Sequence, residues 1–182
     1  MLRSLRTNRG FSLVELLLTV AIFGTLTAMA VPVMKDVTAS IKLNEASRMV
    51  ERELQAARLK AVSSNRQLRV RMNCPATGYL RTVEVLGSSA DTASDRCLES
   101  AYPFPARDTD IMTRPNFDGP VRTLPNGAAV SSSVIQFGAD GTAMNVVSGV
   151  AQTINTPVTL TITRDGRSRS VTVNGIGKVQ LQ

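Results

Sequence analysis

Nineteen consecutive positions, Leu16 to Met34, carry no charge, and Glu15 and Lys35 bracket them. About 20 apolar residues in helical form cross the hydrocarbon core of a bilayer. The run therefore commits the chain to an N-terminal helix that has a membrane to sit in. Three arginines and no acid precede it, in Met1-Leu2-Arg3-Ser4-Leu5-Arg6-Thr7-Asn8-Arg9-Gly10. A basic flank of this kind stays in the cytoplasm, which places everything after Lys35 on the far side. Glu15 is the oddity. A carboxylate carried to mid-bilayer costs on the order of 2.5–3.5 kcal/mol, and less near an end. A chain that keeps one there needs a partner for it.

A secretory signal peptide would also show a basic start, an apolar stretch and a small-x-small site, here Ala28-Met29-Ala30. Three details oppose that reading. The apolar run continues through the site to Met34, whereas signal-peptide cores span roughly 7–15 residues. Pro32 would sit just beyond the cut, and Glu15 would serve no purpose in a discarded segment.

Gly10-Phe11-Ser12-Leu13-Val14-Glu15-Leu16-Leu17-Leu18 resembles the type III signal sequence of type IV pilins and type II secretion pseudopilins. The resemblance implies cleavage by prepilin peptidase between Gly10 and Phe11, and N-methylation of Phe11. It implies that Glu15 pairs with the amino terminus of a neighbouring subunit during assembly, and that Pro32 kinks the helix. The implied partners are other pilin or pseudopilin subunits, the peptidase and an inner-membrane assembly platform. Physics makes the arrangement intelligible: an amine and a carboxylate taken out of water are tolerable only as a pair.

Without residues 1–10 the 21 basic residues fall to 18 against 14 acidic ones, a net charge of +4. Bulk charge thus implies mild attraction to polyanions, short of a dedicated nucleic-acid binder. Two cysteines, Cys74 and Cys97, lie beyond the span, and an exported pair is most simply a disulfide. No histidine occurs, and two thiols make at most half a zinc site.

After Lys35 the helix is expected to continue with an apolar stripe of Ala46, Met49, Val50, Leu54, Ala57 and Ala61 at three- and four-residue spacing, ending near Ser63-Ser64-Asn65. From Arg66 the period changes to two. Leu68, Val70 and Met72 alternate with Gln67, Arg69 and Arg71, and Tyr79–Leu86 is a second strand. Residues 87–127 are rich in Pro and Gly and read as an irregular insertion with one or two short edge strands. Strands resume at Ala129–Phe137 and Thr142–Val147. Pro157–Arg164 and Arg167–Val173 flank Asp165-Gly166, the strongest hairpin signal in the chain. Two-residue closure pairs Arg164 with Arg167, Ile162 with Arg169, Leu160 with Val171 and Val158 with Val173. Ile176–Leu181 is a last edge strand.

The expected fold class is α+β, a long N-terminal helix packed on an antiparallel β-sheet head. Its parts are a cytoplasmic leader (1–10), a membrane helix (11–34), an amphipathic continuation (35–65) and a periplasmic β-rich head (66–182). Within the family the layout resembles the GspH/FimT branch, through Leu54–Val62, Ile135-Gln136-Phe137 with Gly141, and Val171–Val179. The implied function is that of a minor pilin or pseudopilin, single-pass in the inner membrane, serving type II secretion or a type IV pilus.

No catalytic triad can be drawn without histidine, and no Gly-rich phosphate loop follows a strand. No enzyme activity, cofactor or metal is expected; Asp108 and Asp110 read as solvated acids of the insertion. One basic cluster remains, Arg164, Arg167 and Arg169, with Lys178 nearer the C-terminus. FimT-like minor pilins that capture DNA use a C-terminal Gly-Arg-x-Arg motif. Gly166-Arg167-Ser168-Arg169 has that spelling within the hairpin, and Gly177-Lys178-Val179-Gln180 is a degenerate version at the tail. DNA is therefore an alternative partner. Solvated arginines that discourage edge aggregation are the favoured account of the cluster.

Overall fold

The computed structural model describes residues 10–105 and 115–182. The leader arginines Arg3, Arg6 and Arg9, and Asp108 and Asp110, lie outside the described residues. Two compact units divide the chain, residues 1–38 and residues 39–182.

One helix, α1 (Leu13–Ser64), contributes to both units and runs through Pro32 as a single element. The Leu16 amide donates to the Ser12 carbonyl at 3.1 Å, which opens the helix one residue after Phe11. Its first part is long and apolar enough to cross a membrane. In the second unit the expected stripe is the buried one: Ala46, Val50, Leu54, Ala57 and Ala61 are almost wholly covered, joined by Leu43. The helix stops where Asn65 takes a positive φ of 52°, a conformation that Asn tolerates better than most side chains.

Among the described residues ten strands follow: β1 (Leu68–Met72), β2 (Tyr79–Glu84), β3 (Val121–Thr123), β4 (Ala129–Val130), β5 (Val134–Phe137), β6 (Ala143–Val147), β7 (Val150–Thr153), β8 (Val158–Arg164), β9 (Arg167–Val173) and β10 (Val179–Leu181). They form two antiparallel sheets, ordered β3-β2-β1-β5-β6-β7 and β10-β9-β8-β4. The helix stripe, Leu68, Val70, Ile135 and Phe137 of the first sheet, and Leu160, Ile162, Val171 and Val173 of the second make one core. The β8–β9 register is the one expected from a two-residue turn, with Arg164 opposite Arg167 and Val158 opposite Val173.

Two expectations about the strands need correction. Ala129–Phe137 is two strands rather than one: Ser131-Ser132-Ser133 lets the chain leave β4 in one sheet and enter β5 in the other. Val150–Thr153 is an unanticipated strand that closes a hairpin at Ser148-Gly149, both at positive φ. The outward face of β1 is covered as well, with Arg69 buried. The insertion explains part of this cover. Its short 3-10 turns, Ser89–Asp91 and Ser94–Cys97, precede the edge strand β3.

Candidate functional site

At the N-terminal end, Gly10 and Phe11 precede the helix and both are exposed, Phe11 at 79%. Glu15 lies in the first turn of α1, where the positive end of the helix dipole favours a carboxylate. Around it the apolar side chains Leu13, Leu16, Leu17, Leu18 and Phe23 are exposed too. Between Leu13 and Met34, Glu15 is the single charged group. In this single chain, then, an apolar surface and one acid are presented together, exposed among the described residues.

The head treats its charges in the opposite way. Arg81 on β2 and Arg96 in the insertion are both fully buried. Arg81 donates from Nε to the Gly119 carbonyl (3.0 Å), from Nη1 to that of Arg96 (3.1 Å) and from Nη2 to that of Tyr102 (2.6 Å). Arg96 donates from Nη2 to the Glu84 carbonyl and to Asp118 Oδ1, each at 2.8 Å, and its guanidinium lies over the Tyr102 ring at 4.7 Å. Asp118 Oδ1 also accepts the Glu84 amide at 2.8 Å. Glu84 in turn accepts the amides of Asn116 (2.9 Å) and Phe117 (3.2 Å).

Burial pushes the Asp118 carboxyl above its ordinary value, against the lowering pull of the Glu84 amide, Arg96 and Arg81. Arg81 is lowered, chiefly by burial, with Asp118 opposing. Each charge is expensive alone and is held by its neighbours. The cysteines do form the expected bridge, with α-carbons 5.1 Å apart, and fasten the second 3-10 turn beside this cluster to the end of β1. Sequence reading missed the network because Arg81 and Arg96 look like surface residues. The available signal was Arg69, Arg71 and Arg81 on neighbouring strands beside a long insertion able to cover them.

The structure separates the residues of the basic cluster. Arg164 is mostly buried and donates to the Asn126 carbonyl and, at 3.1 Å, to its neighbour Asp165. Arg167 and Arg169 are exposed on β9. Lys178 is exposed beyond the opposite end of that strand, since β10 pairs Val179 with Val173. At ~3.4 Å per residue it lies on the order of 20 Å along the strand from Arg167.

Gly177 has a local duty of its own. It holds a φ of 76°, and a β-carbon there would collide with the Gly141 carbonyl and with Arg58. Arg58 uses this close approach to donate to the carbonyls of Gly141 and Ile176, each at 2.9 Å. The tail Gly-Lys-Val-Gln is thus a clamp between α1 and the loops. Among the described residues, no three His, Cys, Asp or Glu groups lie within reach of a common metal ion.

Residues 46–177 match the family described as Type II transport protein GspH, and residues 5–31 match the prokaryotic N-terminal methylation motif. No curated protein matches. Among solved structures, the chain is similar to the type IV minor pilin FimU of Pseudomonas aeruginosa at 18% identity, with 80% of this chain and 92% of that one covered and a TM-score of 0.49. It is also similar to the minor pseudopilin EpsH from the type 2 secretion system of Vibrio cholerae at 17% identity, covering 78% and 96%, with a TM-score of 0.45.

Proposed function

That the chain belongs to the family of the Type II transport protein GspH is the premise from which we propose its role: a minor pilin-like subunit that polymerises through α1. Its N-terminal methylation motif and apolar helix fit a membrane-anchored, pilin-like protein. In the reading we favour, prepilin peptidase removes residues 1–10 and Phe11 becomes the methylated first residue. The helix crosses the inner membrane once, bending at Pro32, and the head lies in the periplasm until the assembly platform adds the subunit to a filament. That filament is a secretion pseudopilus or a type IV pilus.

The observation that carries this reading is the exposed apolar surface of α1 with Glu15 as its single charged group. Such a surface is covered by lipid before assembly and by other subunits after it. The carboxylate needs a cation in both places, and a mature amino terminus four residues away in sequence, on another copy, supplies one. Mass analysis of the mature protein should give N-methyl-Phe11 as the first residue. A start at Val31 would mean ordinary signal peptidase and would sink the proposal.

DNA capture is the second reading, and two exposed arginines at alternate positions of β9, Arg167 and Arg169, support it. Arg164 is spent on Asn126 and Asp165, and Lys178 is remote. Two phosphate contacts give a log–log salt slope of roughly −1.8, at about −0.9 per phosphate. With so shallow a slope, any duplex binding is weak and non-specific. The filament role is therefore the conclusion.

A further inference from the structure

Arg69 and Arg71 leave β1 on the same side of the sheet, away from the core. Being two residues apart, they are ~7 Å from each other along the strand. They line a cleft of about 240 Å³ at the margin of the insertion, together with Asp91, Thr92, Val134 and Val146. Ser148 and Gly149, in the β6–β7 turn, close its other side.

The positions of both guanidinium groups are fixed by neutral acceptors. Arg69 donates from Nε to Gln136 Oε1 at 2.6 Å and from Nη2 to the Gly149 carbonyl at 3.3 Å. Arg71 donates from Nη1 to the Ala93 carbonyl at 2.9 Å. Among the described residues, neither arginine has a carboxylate within 4.0 Å. Asp91 is the acid in the wall, and it is already committed: Oδ1 accepts the Leu86 amide and Oδ2 the Gly87 amide, each at 2.8 Å. Among the described residues, Nη1 is the one Arg71 nitrogen with an acceptor, and Nε and Nη2 have none. Burial, and then the like charges of Arg69 and Arg96, hold its pKa below the ordinary value, so a counter-anion would relieve an existing cost.

We propose that this cleft is an oxyanion site in which Arg71 is the principal ligand and Arg69 a fixed second cation. Its guanidinium fork matches the two oxygens of a carboxylate or phosphate. The apolar walls, Val134 and Val146, suit a carboxylate on a short aliphatic stem. That chemistry is supplied either by an acidic side chain of a neighbouring subunit or by a free anion. This site is separate from the helix contact of Glu15, so it adds a head-level contact to the assembly role.

The test is calorimetric titration of the full chain in uncharged detergent micelles with N-acetylglutamic acid α-amide and with inorganic phosphate. Saturable binding of the glutamyl probe in preference to phosphate supports the site and assigns a protein side chain as its source. The reverse preference supports the site and assigns a free anion. Arg71→Gln should weaken binding about tenfold or more, as expected for losing a charged hydrogen-bonding group, and Arg71→Lys should fall between, keeping charge without the fork. Ser148→Asp guards against a folding defect in the first variant. It lies at an exposed turn position where Asp tolerates positive φ, places a carboxylate at the mouth and should weaken binding as well. An Arg164/Arg167/Arg169→Ala triple should bind as the parent does. Absence of saturable binding to either probe, undiminished binding by Arg71→Gln and Ser148→Asp, or loss confined to the hairpin triple would overturn the proposal.

Discussion

Two regions of this molecule set charge among apolar side chains, and they do so differently. In the head, Arg81, Arg96 and Asp118 are buried together and answer one another within a single chain. In the first turn of α1, Glu15 stands amid exposed apolar side chains and, among the described residues, has no such set around it. A network closed within one chain fixes a fold, because its partners are covalently present, though among the described residues Arg96 Nε and Nη1 and Asp118 Oδ2 have no hydrogen-bond partner. An open one suits the assembly we propose, in which the partner is brought by another copy.

The comparison breaks most readily at Asp118. Removing one member of a buried pair leaves uncompensated charge and costs about 3–5 kcal/mol. Asp118→Ala should therefore lower head stability by that amount in urea denaturation. Glu15→Ala should leave the same transition within roughly 0.5 kcal/mol, as surface changes do. Equal effects of the two substitutions would erase the distinction between closed and open networks.

How much of this was legible in the chain follows the same division. The helix stripe, its stop and the β8–β9 register could all be read, because each depends on local spacing or on a turn that dictates pairing. Asp165-Gly166 alone determines which residues face each other over seven pairs. Arg81 and Arg96 could not be read this way. Their burial depends on the insertion folding back over β1 and β2, a non-local event with no period in its sequence. The same cause hid the character of Arg69 and Arg71, whose surroundings alternation does not reveal. The spatial spread of the basic residues was equally out of reach of local spacing: strand direction sets Lys178 apart, and the Asn126 carbonyl engages Arg164.

Smaller tests sharpen the head's side of the comparison. The Cys74–Cys97 bridge, with a sequence separation of 23, anchors the segment that carries Arg96. Replacing both cysteines with serine should cost roughly 3 kcal/mol on the chain-entropy account. The loss should be less than additive with Asp118→Ala, since both act on the same insertion. Full additivity would show the bridge and the charge network to be independent. Gly177→Ala should cost about 1–3 kcal/mol, because a side chain at that φ is strained and displaces the Arg58 clamp. An unchanged melting temperature for this variant would remove the clamp from the account.

The central claim is that Glu15 finds its cation on a neighbouring subunit. The direct measurement is the fraction of processed, full-length Glu15→Ala subunit recovered in sheared filaments beside the parent, with head stability measured on the same preparations. The account predicts normal processing at Phe11, an unchanged head transition and a severe loss from the filament fraction. Parent-level recovery in the filament, with processing and stability intact, would contradict it.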